Sequence, residues 1–145
     1  MRVVGIGVDA IEIDRVVKLK ERHPSVFLTR VYTEREREYC AARKRGEGES
    51  LAARWAAKEA ALKALGTGWI AGVSWTDVEV DVLPSGAPVL NLTGGARQIA
   101  DALGVVDAKI SLTHTKTTAT AFVVLSAEDA SSETSQSGLA HTPSP

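Results

Sequence analysis

Apolar residues run almost unbroken from Arg2 to Val8, with Gly5 and Gly7 among them. That pattern marks a short buried strand whose backbone can come close to a neighbour, with Asp9 standing where the strand gives way to a turn. Ile13 to Arg22 then switches to a helical period, with Ile13, Val16, Val17 and Lys20 on one side and Arg15, Lys18 and Arg22 on another. "HPSV" closes this helix. In "VYTEREREYCAAR" the spacing of Thr33 and Glu36 is that of a capping box, so a second helix begins near Thr33. "RKRGEGES" reads as a mobile surface loop, with Ser50 as the N-cap of a third helix and Gly66 and Gly68 as its stops. From Val78 the period is two: Val78, Val80 and Val82 alternate with Glu79 and Asp81, "LPSGAP" turns the chain, and Val89 to Leu92 return it as a hairpin. "ARQIADALG" reads as a helix closed by Gly104, and "AKISLT" and "TATAFVVL" as strands flanking His114, Thr115 and Lys116. One strand, a helical block and then strands with one helix among them predict an α+β fold, an antiparallel sheet packed against helices. No internal repeat is present.

The third helix has no ordinary polar side. At about 100° per residue, Leu51, Trp55, Leu62 and Leu65 form one stripe, and Ala53, Ala56, Ala57, Ala60 and Ala64 cover the opposite side. Glu59 and Lys63 fall in one seam between these faces, Arg54 lies near the other, and Lys58 falls within the large-residue stripe. A surface i,i+4 pair of Glu59 and Lys63 would stabilise by only about 0.2–0.5 kcal/mol. If both faces pack, these charges are partly desolvated, which costs several kcal/mol without compensation. A carboxylate then calls for a cation or metal and the lysines for anions, which together point to a metal-assisted phosphate ester or diphosphate substrate.

Composition narrows the class without deciding it. The 145 residues suit a single domain over residues 1–126, able to bury roughly two-thirds of the surface its unfolded form exposes. Beyond it, residues 127–145 hold too little apolar material to offset ordering entropy and are expected to be a disordered, functionally silent tail, His141 included. A net charge of −1 gives no global attraction to nucleic acid or to an anionic membrane. The apolar run before Asp9 is too short for a signal peptide, and none approaches the roughly 18 residues of a membrane span, so a soluble cytoplasmic protein is expected. Cys40 is alone, excludes an internal disulfide and reads as a packing residue on a helix face.

Other residues fit the same chemistry. Asp9 is either a second hard oxygen ligand or a turn former; His114, between two strands in a Thr-His-Thr context, either contacts phosphate or is structural. Arg15, Lys18 and Arg22 form a basic helix face, either solvated or able to meet an acidic helix. "GIGVD" lacks both the G-x-G-x-x-G and the Walker pattern, so neither nucleotide fingerprint applies.

Three stretches in register, "GIGVDAIEIDR", "LAARWAAKEAALKALGTG" and "SLTHTKTTATAFVV", resemble the holo-[acyl-carrier-protein] synthases, the small trimeric class of phosphopantetheinyl transferases. The resemblance spans about Met1 to Leu125. It implies transfer of the phosphopantetheine arm of coenzyme A to a serine hydroxyl of apo acyl carrier protein, releasing adenosine 3',5'-bisphosphate, in a homotrimer with sites between subunits. Asp9 and Glu59 match the magnesium carboxylates, and Lys63 a lysine near the diphosphate that stabilises or protonates the leaving group. The resemblance places His114 beside the same phosphates and makes Arg54, Lys58, Lys63, Gly66, His114 and Thr115 the lining of the coenzyme A site. The hairpin turn with Gly86 and Pro88 would meet the adenine end bound by a neighbour. Arg15, Lys18 and Arg22 become the docking face for the acidic helix of the carrier. A metal-bound water and Asp9 are both candidates for the base. Thr117 and Thr118 stand where many members carry an aromatic or acidic residue, which touches wall contacts rather than core chemistry. A broad-range transferase for polyketide or peptide synthase carriers, and an inactive carrier-binding trimer, are the competing readings.

Overall fold

The computed structural model describes residues 1–68 and 70–130 of the chain. At its centre lies helix α4, Glu47–Leu65, whose leucine and tryptophan stripe and alanine face are both buried. Apart from its first turn, only Glu59 and Lys63 on this helix reach solvent to any extent. The absence of a polar face predicted such a helix, and its start differs from expectation. The "GEGES" stretch is the first turn rather than a loop, with Gly46 in place of Ser50 at the N-cap. Lys20 pairs with Glu47 there, and Gly48 lies against Val17 and Ile13, so tertiary contact offsets the low helix propensity of glycine.

Before α4 come strand β1 (Arg2–Glu12) and helices α1 (Ile13–Arg22), α2 (Pro24–Val31) and α3 (Glu34–Ala42). After it come a 3₁₀ turn at Trp75–Asp77, strands β2 (Val78–Val82) and β3 (Pro88–Leu92), helix α5 (Gly94–Ala102), and strands β4 (Val105–His114) and β5 (Thr118–Ala127). Helix α1 has the expected bounds, and Thr33 caps α3 with Glu36 answering as the reciprocal partner. Helix α2 was not anticipated: eight residues with Pro24 in the first turn look like a terminator after α1.

The sheet is antiparallel but divided in two. Strands β1, β5 and β4 form one sheet in that order, with β1 at an edge, and β2 and β3 form a separate hairpin. Asp9 is not at the end of β1 as expected; the strand continues three residues past it, with Asp9 opposite Ala121. Ala119, Ala121, Val123 and Leu125 of β5 are fully buried on the face turned to α4. On that side a Cβ at Gly5 would collide with the Ala64 carbonyl oxygen, and one at Gly7 with that of Ala60. Glycine on the strand and alanine on the helix thus let β1 and α4 touch backbone to backbone. The other face of the sheet carries Ile6, Val8 and Phe122 at 63%, 55% and 43% exposure. Val8 lies opposite Phe122 and Ile6 opposite Val124, so the exposed apolar residues form one patch.

Strand β5 runs to Ala127, which is paired to Arg2 and Val105. The rest of the predicted tail from residue 131, His141 included, lies outside the described residues. Among the described residues no helix is long and apolar enough to cross a membrane.

Candidate active site

Close contact of β1 with α4 brings Asp9 against the helical turn that carries Glu59 and Lys63. The Lys63 ammonium donates to Asp9 Oδ1 at 3.1 Å and to the Val8 carbonyl at 3.0 Å. Lys63 therefore does not pair with Glu59, its i,i+4 neighbour. Glu59 is half-buried on an otherwise buried stretch of helix, and among the described residues its carboxylate has neither a hydrogen bond nor an ion pair. A partly desolvated carboxylate without a protein partner is left to water on its open side and is stabilised by a cation that reaches it. Two hard oxygen donors from different elements suit Mg²⁺, which binds through one or two carboxylates and keeps other positions for phosphate oxygens and water. No cluster of three or more ligating side chains occurs among the described residues, so an all-protein cage is not the arrangement here.

A second group of residues lies further along α4. Arg54 is buried at 4% exposure, its guanidinium stacks over the Tyr39 ring at 4.2 Å, and its Nε has no hydrogen-bond partner. Arg43 approaches the same ring and donates to the Tyr39 hydroxyl at 2.8 Å. Arg54, Arg43, Arg45, Tyr39 and His114 line one cavity of about 430 Å³. A smaller cavity of about 280 Å³ is lined by Arg54 with Tyr39, Gly86, Pro88 and Leu112. Gly86, with φ of 88°, sits in the left-handed region at the hairpin apex, where its residue type permits the turn. In the larger cavity, three arginines against the one carboxylate of Glu49 give the lining a net positive charge, which suits an anion. Along the helix, Arg54 lies roughly 7 Å from Glu59, at about 1.5 Å per residue.

Sheet register relates the two groups. Leu112, Ala121 and Asp9 face one another across β4, β5 and β1, and His114, Ala119 and Ile11 form the next row. Asp9 and His114 thus share the face turned to α4, two strands and one row apart, about 12 Å between backbones. The His114 Nδ1 lies 3.1 Å from the Thr115 carbonyl, which leaves Nε2 open. Thr115 braces the β4–β5 turn, its hydroxyl accepting from the backbone N–H groups of Thr117 and Thr118 at 3.3 and 3.1 Å. The Thr117 carbonyl accepts from Ile13 N at 2.9 Å and fastens this turn to the start of α1. Gly66 caps α4 in the left-handed region, one turn beyond Lys63, with open space around it.

Lys58 is the correction. Expected to line the substrate site, it is fully buried, ion-paired to Glu36 at 2.7 Å and donating to the carbonyls of Val78 and Trp75. Burial pushes its ammonium below the ordinary 10.5, and the Glu36 charge pulls it back. Glu36 also accepts from Thr33 N and Val80 N, which ties α3, α4 and β2 through one carboxylate. Lys58 has no surface left for a substrate. Conversely, Tyr39, Arg43 and Arg45 escaped the sequence reading. "RKR" was visible as a charge run, yet nothing local shows that α3 delivers it beside Arg54.

The basic face of α1 belongs to a different depression. Arg15, Lys18 and Arg22 line an open depression with Glu12, Asp14 and Leu19. Lys18 is paired to Asp14 at 2.7 Å, and the Arg15 guanidinium sits 5.5 Å from the Trp55 ring centre.

Residues 5–123 match the model of the 4'-phosphopantetheinyl transferase superfamily. The chain belongs to this superfamily. A holo-[acyl-carrier-protein] synthase of Solibacter usitatus is 46% identical over 123 residues, covering 85% of this chain and 98% of that protein. That of Gloeobacter violaceus is 46% identical over 118 residues, covering 81% and 89%. Among solved phosphopantetheinyl transferases, the Bacillus anthracis synthase in complex with CoA (3',5'-ADP) is similar with a TM-score of 0.72 and 35% identity over 87% of this chain and 98% of that one. The Helicobacter pylori synthase in complex with coenzyme A gives 0.74 and 30%, over 83% and 99%. The expected membership and the α+β fold both hold.

Proposed function

We propose that this chain transfers 4'-phosphopantetheine from coenzyme A to a serine hydroxyl of apo acyl carrier protein, as a Mg²⁺-dependent homotrimer in the cytoplasm. The observation that carries the chemistry is the half-buried, unpartnered Glu59 carboxylate one helical turn from Lys63, with Asp9 facing it from β1. Asp9 and Glu59 would hold the ion, which when bound neutralises the diphosphate and stabilises charge on the departing phosphate. In the transfer, the serine hydroxyl gives up its proton to Asp9 or to water, its oxygen forms a bond to the pantetheine phosphorus and the diphosphate P–O bond breaks. Adenosine 3',5'-bisphosphate leaves with the bonding pair. Lys63 supplies a positive charge, and a proton if needed, at the oxygen that leaves. Arg54, Arg43, Arg45 and His114 offer further charge and hydrogen bonds to the anionic donor, while Gly86 and Pro88 shape the adjoining cleft. Arg15, Lys18 and Arg22 form the surface for an acidic carrier, with Lys18 partly neutralised by Asp14.

Support for the trimer comes from the outer sheet face. A contiguous exposed patch of Ile6, Val8 and Phe122 is unusual for a monomer and is what a subunit interface would cover.

The deciding experiment incubates the protein with apo acyl carrier protein, coenzyme A and Mg²⁺ and follows the carrier by mass spectrometry. A phosphopantetheine mass gain on the carrier serine is expected, falling at least about a hundredfold in rate with Glu59→Gln. No mass gain on any apo carrier would overturn the reading; full activity of Glu59→Gln without divalent metal would overturn the metal assignment.

A further inference from the structure

Within the chain, the partner of Asp9 is Lys63. The ammonium uses two of its three donors on this one segment of β1, at Asp9 Oδ1 and the Val8 carbonyl. Strand β1 is the edge of its sheet, so a carbonyl on its free side can take a side-chain donor in place of another strand. Asp9 is largely buried, with 20% of its side chain exposed, whereas Lys63 keeps 53% and reaches in from the solvent side. Glu59, one helical turn back on α4, receives no hydrogen bond or ion pair among the described residues. Of the two carboxylates, one is therefore occupied by the chain's own cation and the other is open.

We propose that Lys63 is a resident counter-ion of Asp9 which a divalent cation displaces. Loading of the carboxylate pair and release of the Lys63 ammonium toward the substrate phosphates then become a single event. The proposal rests on reading Asp9 and Glu59 as the ligands of that cation. Lys63 engages Asp9 Oδ1 only, so a divalent ion can enter at the other oxygen, and the repulsion between ion and ammonium on one carboxylate then favours the departure of one of them. Lys63 is the one free to move, because its stem is flexible and its head is mostly in water. Its departure returns the Val8 carbonyl to solvent and leaves a lysine close to both carboxylates without an anion of its own. A phosphate oxygen supplies that anion. Without the cation the lysine is held back on β1, and its charge is not offered to the donor.

A quantitative consequence follows for affinity. When a competing internal group occupies a ligand most of the time, the apparent dissociation constant is the intrinsic one divided by the free fraction. Removing the lysine should therefore tighten cation binding even though it removes a residue that serves the reaction.

The test titrates Mn²⁺ into the full chain, without coenzyme A, by electron paramagnetic resonance, for the wild type and Lys63→Met. Lys63 is exposed, so the substitution should leave the fold intact, which circular dichroism and the melting temperature verify. About fivefold or more tighter binding in Lys63→Met is expected. In parallel, the side-chain ¹H–¹⁵N resonance of Lys63 is followed in the wild type as Mg²⁺ is added. It should move toward its position in metal-free Asp9→Asn, where the counter-ion is gone. Equal or weaker Mn²⁺ binding in Lys63→Met overturns the proposal and leaves the carboxylate pair standing as a cation site. Tighter binding with a Lys63 resonance unmoved by Mg²⁺ also overturns it, since only long-range charge would then be at work. Absence of Mn²⁺ binding in both proteins overturns the proposal and the cation site together.

Discussion

Replacing Lys58 by Met leaves the Glu36 carboxylate buried without its counter-charge, which costs about 3–5 kcal/mol in comparable pairs. A Glu36→Gln, Lys58→Met double variant removes both charges and should be more stable than Lys58→Met alone, as urea denaturation of the single and double variants would read. The opposite order would mean that the pair is not what holds α3 and β2 to α4. At this scale the sequence was informative where geometry is local. Glu59 and Lys63 stood out because α4 has no polar side, and Glu36 was recognisable as a capping residue three positions from Thr33. Its partnership with Lys58 was not recognisable, because the two are 22 positions apart and meet only when α3 packs on α4. Adjacent residues Lys58 and Glu59 looked like members of one cluster; a rotation of about 100° sends one into the core and leaves the other partly open to solvent.

Among the elements, the contact of β1 with α4 determines where Asp9 stands. Gly7→Ala would drive a methyl into the Ala60 carbonyl, and the strand would have to lift from the helix. Overpacking of this kind costs about 1–3 kcal/mol. Displacing Asp9 by even about 1 Å should lower the transfer rate by roughly a hundredfold in protein that is still folded. Rate and folded fraction measured on the same preparation check this; a rate that merely tracks the folded fraction would count against it. The "GIG" stretch announced close approach, but its partner could not be named from sequence. Strand β1 was read too short because an acid after an apolar run looks like a stop. In the fold Asp9 is tolerated mid-strand because Lys63 meets it from the helix side. Helix α2 was hidden for a related reason: Pro24 begins it, and eight residues give too little periodicity to show against the end of α1.

For the whole molecule, the buried Cys40 thiol contributes an alkaline weakness, which the lowered Lys58 ammonium opposes. Burial pushes the Cys40 thiol up to about 11 from an ordinary 9.0, so the folded state holds its proton over a range in which the unfolded chain has lost it. The thiol's contribution is complete below pH 9 and is lost as pH rises to 11, about 2–3 kcal/mol in all. Cys40→Ala should therefore lose less stability than the wild type between pH 8 and pH 10.5 in urea denaturation. Equal losses would refute the assignment. Tyr32, also held protonated by burial, acts in the same direction in both proteins. The proposed trimer is tested at the same scale: Val8→Lys should move the protein from trimer to monomer in light scattering and abolish transfer, since the charge would enter a covered apolar face. A trimer that persists with Lys at position 8 would place the interface elsewhere. Finally, the buried Lys58 constrains a motion as well as a distance. Three oxygens from α3, β2 and the 3₁₀ turn hold one side chain near the middle of α4, so the helix cannot roll about its own axis. A roll of about 20° would swing a carboxylate roughly 6 Å from that axis by about 2 Å, more than a reacting geometry tolerates. The rotational phase of the helix, and with it the aim of Glu59, is therefore set by its buried neighbour, about 100° around the shaft.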